Sequence, residues 1–266
     1  MPVSLVGFPW DASSSYARGA ALAPYIIRAV LTSEASSPYS FSGQSFRDLI
    51  VSYDFGELPN NPEPARKAIY KKVTDIVSSG NAPLSLGGDH SITFPILDAL
   101  KDKYGALNVL HIDAHTDLYD EFGGDRYSHA SPFARALENG CVNNLIQIGL
   151  RSVGPEQRKF GAANGVIMLG AESVGAIPFD RLVAPLYISI DLDGIDPAFA
   201  PGVSHQEPGG LTVREVLSIL SKLNATPIGA DIVEYNPEFD RGLQTAHVCA
   251  RLAKELTDLM SPIPSG

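Results

Sequence analysis

The sequence predicts an α/β fold: a parallel sheet of about eight strands with helices on both faces. Short apolar runs rich in β-branched residues recur along the chain, and stretches with helical spacing lie between most of them. Of 266 residues, 44% are apolar, enough to bury a substantial core. Strands are expected near Ser4–Phe8, Leu49–Phe55, Leu84–Gly87, Asn108–Ile112, Leu145–Leu150, Val166–Leu169, Leu186–Ile190 and Ile228–Val233. Helical spacing marks Pro64–Val77, Ile92–Lys103, Val213–Leu223 and Thr245–Met260. This alternation favours parallel pairing with both faces covered. Ser33–Ser45, Tyr119–Ser128 and Pro197–Gly210 lack periodicity and are expected as loops. The tail Ser261–Gly266 is expected to fray. One domain over residues 1–266 accounts for the length, and no internal repeat is visible.

The net charge is -10, from 30 acidic and 20 basic residues. Such a surface repels phosphate backbones, which argues against a nucleic-acid partner. The two cysteines, Cys141 and Cys249, make no disulfide framework and no CxxC pair. The N-terminus lacks the basic and apolar segments of a signal peptide, and no apolar run approaches a membrane span. A cytoplasmic protein with no membrane partner is the expectation.

The chemistry concentrates at the ends of three predicted strands. These are Leu86-Gly87-Gly88-Asp89-His90-Ser91, His111-Ile112-Asp113-Ala114-His115-Thr116-Asp117, and Ser189-Ile190-Asp191-Leu192-Asp193-Gly194-Ile195-Asp196. In open parallel sheets ligands bind outside the carboxyl ends of the strands, so the three can converge. Asp113, His115 and Asp117 alternate, as do Asp191 and Asp193, and alternation places side chains on one face. With His90 the set holds four carboxylates and two imidazoles. Packed carboxylates repel unless cations lie among them. Oxygen-rich ligation without thiolate favours manganese or a similar ion over a zinc site. A lone Asp after a strand is more often a cap or turn residue, which suits Asp89 and Asp196. His111 and His247 read as hydrogen-bonded structural residues. Gly87-Gly88 lacks the spacing and the lysine of a phosphate loop.

At these residues the sequence resembles the ureohydrolase family of arginases and agmatinases. GGDHS at 87–91, DAHTD at 113–117 and SIDLDGIDPAFAPG at 189–202 look like its three metal motifs. YSHASPFAR at 127–135 and APGVSHQEPGGL at 200–211 look especially like plant-type arginases. The resemblance implies a three-layer α/β/α sandwich and a centre of two Mn²⁺ ions per chain, with Ni²⁺ or Co²⁺ as alternatives. One ion would be held by His90, Asp113, Asp117 and Asp191, the other by Asp113, His115, Asp191 and Asp193. It also implies a homo-oligomer, trimer or hexamer, acting on a small cationic guanidino substrate.

By the same resemblance Glu234 pairs with the guanidinium, and His129 shuttles a proton to the leaving amine. Asp117 orients the attacking water. Urea and a primary amine would result, from L-arginine first and from agmatine or another guanidino compound as the alternative. The carboxylate of arginine needs a partner, and Arg126 can serve or can be a solvated loop charge. Glu156 can meet the amino group or simply start a helix. His205 can line the pocket or sit on the surface. Three rivals stand beside this: a one-zinc hydrolase of related fold, a binding protein stabilised by metal, and an interaction module with no metals.

Overall fold

The computed structural model describes residues 1–261; residues 262–266, most of the tail expected to fray, lie outside them. The strands are β1 (Val3–Phe8), β2 (Ile50–Asp54), β3 (Ala82–Gly87), β4 (Leu107–Ile112), β5 (Val142–Leu150), β6 (Ile167–Gly170), β7 (Leu186–Asp191) and β8 (Pro227–Val233). They form one sheet in the order β2-β1-β3-β8-β7-β4-β5-β6, and every neighbouring pair is parallel. All eight expected strands are present, with ends displaced by a few residues.

The helices are α1 (Ala23–Thr32), α2 (Phe46–Leu49), α3 (Pro62–Ser78), α4 (Thr93–Tyr104), α5 (Pro132–Glu138), α6 (Pro155–Ala163), α7 (Val213–Leu220) and α8 (Gln244–Met260). The four helices marked by spacing are α3, α4, α7 and α8. The others carry weaker local signals. α1 contains Ile26, Ile27 and Val30, residues that serve strands as well as helices, and α5 is only seven residues long. α7 has a capping box, in which Thr212 Oγ1 accepts the Glu215 N–H and the Glu215 carboxylate accepts the Thr212 N–H.

Adjacent strand residues part to opposite faces. Leu5, Leu110 and Ile188 join α1, α7 and α8 in one apolar cluster, whereas Val6, Val109 and Tyr187 join α3, α4 and α5 in the other. The result is three layers, with the central strands buried on both sides and the edge strand β2 largely exposed. No helix among the described residues is long and apolar enough to cross a membrane.

Glycines let the strand ends come close together. A Cβ on Gly88 would lie 1.8 Å from the Trp10 carbonyl oxygen, so the chain leaving β3 can pass β1 only without a side chain there. This is the role of Gly88 in the pair.

Candidate metal centre

Four neighbouring strands, β3, β8, β7 and β4, bring their carboxyl ends to one place. The turn after β3 supplies His90, β8 leads into Glu234, β7 ends in Asp191 with Asp193 just beyond, and β4 leads into Asp113, His115 and Asp117. β3 and β4 are separated by two strands, so the turn after β3 must reach across. Asp89 caps that turn through the Ser91 N–H and also accepts the Ser13 N–H, fixing where His90 points. Asp117 and Glu234 both have left-handed backbones, φ 52° and 62°, uncommon for residues with a side chain.

His90 is fully buried, and its Nδ1 lies 2.9 Å from Asp117 Oδ2, 3.1 Å from Asp191 Oδ2 and 3.4 Å from Asp113 Oδ2. His115 Nδ1 lies 3.0 Å from Asp193 Oδ2 and 3.4 Å from Asp113 Oδ1. Asp113 therefore turns Oδ2 toward His90 and Oδ1 toward His115. All six residues expected as ligands meet in two adjoining groups that share Asp113.

The state of His90 tests whether these groups suit cations. Its Nε2 is 2.9 Å from Ser189 Oγ, and that hydroxyl donates its one hydrogen to Asp231 Oδ1 at 2.6 Å. Ser189 can then only accept from Nε2–H, which leaves Nδ1 as the ring nitrogen turned toward the carboxylates. Nδ1 has no hydrogen-bond partner, although three carboxylates surround it. Burial opposes a charge on the ring, but the three carboxylates hold its proton affinity well above the usual imidazole range, so Nδ1 faces them with a proton or with a metal ion in the proton's place. The carboxylates show the same conflict. Burial, then Asp193 and Asp113, pushes Asp191 well up, and burial with the Asp113 charge raises Asp193 to about 7. Divalent cations would relieve this, and the donors are those a hard or borderline ion takes.

Asp231 is a component that strand-end motifs do not reveal. It is fully buried in β8 and also accepts from Thr93 Oγ1 and Tyr187 OH, both at 2.7 Å. The carboxylate thus orients Ser189, which orients His90, the outer support that metal-binding imidazoles need. Arg151 was also missed. Its guanidinium donates to the backbone carbonyls of Gly149, Asp193 and Glu207, tying the end of β5 to the third motif and the following loop. Asp196 closes that loop by accepting the N–H groups of Ala198, Gly209 and Gly210, as expected for a turn residue.

A cavity of about 250 Å³ opens onto the cluster, with Ser15, His115, Asp117, Tyr119, His129, Ser152, Asp191, Asp193, His205, Glu207 and Glu234 in its walls. Glu234 is only 4% exposed. Its Oε1 accepts the His90 backbone N–H at 2.8 Å and lies 3.0 Å from His129 Nδ1. Burial alone would lower the His129 proton affinity, but the Glu234 carboxylate, with Asp89 and Asp117 behind it, outweighs burial and brings the ring up to about 9. Nε2 of the same ring meets Ser15 Oγ at 2.8 Å. The Ser15 amide N–H also points at Nε2, at 3.2 Å, a contact that suits only the neutral ring. The shorter hydroxyl contact serves either form, because the hydroxyl can turn. His205 stands in the wall with its ring 5.3 Å from that of His129. Burial lowers its proton affinity.

Two suggested substrate contacts do not reach this cavity. Arg126 is turned outward in the Tyr119–Ser128 loop, where it pairs with Asp120 and Glu138. Its charge is answered there, so it behaves as the solvated loop residue. Glu156 lies in the first turn of α6, a favourable end for an acidic side chain, and is exposed. Neither residue lines the cavity.

Chelation should destabilise the protein. At free ion 100-fold above its dissociation constant, each bound ion contributes about 2.7 kcal/mol. At roughly 2–4 °C per kcal/mol for a chain of this size, stripping one ion should lower Tm by about 5–10 °C. Calorimetry with and without EDTA measures this; an unchanged Tm would count against metal in the resting protein.

The profile of the arginase family matches residues 1–258. "Arginase 1, mitochondrial" of Arabidopsis thaliana is 39% identical over 277 residues, covering 97% of this chain and 81% of that protein. "Agmatinase, mitochondrial" of Gallus gallus is 35% identical, covering 96% of this chain and 80% of its own length. The solved arginase of Medicago truncatula superposes with a TM-score of 0.90 at 38% identity, over 97% of this chain and 87% of that one. The cytoplasmic expectation is overturned here. Plant relatives from Arabidopsis thaliana and Medicago truncatula are named mitochondrial or chloroplastic, which contradicts it. Profile, backbone and the convergence of Asp and His residues from the ends of β3, β7 and β4 agree: the chain belongs to the arginase family, hydrolases of guanidino C–N bonds.

Proposed function

We propose that this chain hydrolyses L-arginine to L-ornithine and urea, with two Mn²⁺ ions per chain (Ni²⁺ or Co²⁺ would suit the same donors). The ions would be held by His90, Asp113, Asp117 and Asp191 on one side and by Asp113, His115, Asp191 and Asp193 on the other. The observation that carries this reading is the buried carboxylate of Glu234 in the wall of a cavity floored by the His90 and His115 groups. When bound, the ions supply Lewis acidity that makes a water nucleophilic near neutral pH.

The side chains divide the remaining work. Glu234 engages the planar guanidinium by charge-assisted hydrogen bonds. Its two protein contacts both fall on Oε1, which leaves Oε2 for the substrate. Asp117 turns Oδ2 toward His90, and its other oxygen can accept from the attacking water and aim it. His129, with its proton affinity raised by Glu234, protonates the leaving nitrogen. Ser15 holds that ring from the other side. His205, in the cavity wall, contacts the substrate chain. The whole chain acts as one catalytic domain and assembles as a homo-oligomer, a trimer or hexamer.

A second substrate is favoured by one observation: among the described residues, no Lys or Arg lines the cavity. The carboxylate of arginine would meet neutral donors such as Ser15, Tyr119 and Ser152, whereas agmatine, which has no carboxylate, asks for none. Urea release from arginine and agmatine by manganese-loaded protein decides the matter. Arginine should have the higher kcat/KM; a reversal assigns agmatine, and release from neither refutes the reading.

A further inference from the structure

His111 and Gln147 are fully buried and stand outside both ligand groups. They are register partners on the neighbouring strands β4 and β5, and His111 lies two residues before Asp113, on the same side of its strand. The His111 ring is held between Phe133, at 4.1 Å between centroids, and His90, at 5.1 Å.

Their hydrogen bonds run in one direction. Gln147 Nε2 lies 2.7 Å from the Thr116 carbonyl oxygen and 2.9 Å from His111 Nδ1. A carbonyl only accepts, so the amide must present its NH2 to Thr116; turning it over would set two oxygens against each other. The same NH2 donates its second hydrogen to His111 Nδ1, which must therefore carry a lone pair. The ring hydrogen is then on Nε2, 2.8 Å from Asp113 Oδ2. The other oxygen of Asp113 accepts the His115 backbone N–H at 2.6 Å.

We propose that His111 is a positioning residue, not a ligand: with its tautomer set by Gln147, it holds the Asp113 carboxylate so that each oxygen serves a different ion. This rests on the reading of Asp113 as the carboxylate shared by two ions. Oδ2 is the oxygen near His90 and Oδ1 the one near His115, so a twist about Cβ–Cγ would take an oxygen from each group. His111 lies close enough to His90 and Asp113 to have been a ligand itself. An Nε2 that carries hydrogen has no lone pair to give.

Two substitutions separate the roles. His111→Gln extends an amide N–H to about the place of Nε2 and keeps the donor. His111→Asn still offers Gln147 a polar partner but is too short to reach Asp113. Mn²⁺ binding to EDTA-stripped protein, measured by equilibrium dialysis and calorimetry, is the readout, with Tm in EDTA as the measure of folding. His111→Asn should bind at least one Mn²⁺ about 10–100-fold more weakly, the usual effect of losing an outer hydrogen bond to a ligand. His111→Gln should stay within a few-fold of the unsubstituted chain. Equal Mn²⁺ affinity in the Asn variant overturns the proposal. So does a Gln variant as weak as the Asn variant, which would make the imidazole a ligand. If the unsubstituted protein fails to bind two Mn²⁺, the shared-carboxylate reading falls and takes this proposal with it.

Discussion

Asp191→Asn should give a folded protein that retains at most one divalent ion and loses urea-forming activity by about 10³-fold or more, the equivalent of several kcal/mol of transition-state stabilisation. Asn matches Asp in shape, and its oxygen can still accept the Asp193 N–H that Asp191 Oδ1 now takes at 2.9 Å. What disappears is a buried negative charge 3.1 Å from His90 Nδ1 and close to Asp193 and Asp113. Stability should respond with opposite signs in two conditions. In chelator the variant should melt no lower than the unsubstituted protein, because a carboxylate held well above its ordinary range by burial and like charges has been removed. In excess Mn²⁺ it should melt lower, because less ion is bound to the folded state. Metal analysis and paired melts measure all of this. Two ions retained, with activity intact, would end the shared role of Asp191.

Glu234→Gln should lower kcat/KM for guanidino substrates by about 10²–10³-fold, as expected when one partner of a buried charge pair is lost. Metal content should stay nearly unchanged. The contact of Glu234 with His90 is to the backbone N–H, not to the ring, and an amide oxygen can accept it. A second consequence concerns pH. Burial lowers the His129 proton affinity, and Glu234, followed by Asp89 and Asp117, raises it, so that the ring reaches about 9. Without that charge only Asp89 and Asp117 remain to oppose burial, and the ring loses its proton at lower pH. If His129 acts as the acid, activity should fall off on the alkaline side at lower pH in the variant. A pH–rate profile measures this. Unchanged turnover would remove Glu234 from the substrate site, and an unmoved alkaline limb would remove His129 as the acid.

All eight strands were legible because an apolar, β-branched run announces itself locally. So were the six clustered side chains, because buried alternating carboxylates have few uses apart from cations. α6 was not legible: its sequence, PEQRKFGAA, is polar and contains a glycine. Arg126 was ambiguous for a different reason. A loop cation has the same local sequence whether it turns toward a substrate or toward Asp120 and Glu138, and only the path of the loop chose the latter.

By itself the sequence determined which elements form and which side chains stand at their ends, because periodicity and ligand chemistry are properties of short segments. Tertiary structure alone decided the order β3-β8-β7-β4, which makes neighbours of β3 and β8 and of β4 and β7, pairs distant in the chain. It also decided the protonated nitrogens of two imidazoles. Ser189, 99 residues from His90, sets one, and Gln147, 36 residues from His111, sets the other. A tautomer depends on which donor or acceptor lies within about 3 Å, and at such separations only the packing of crossover helices onto the sheet brings the partner there.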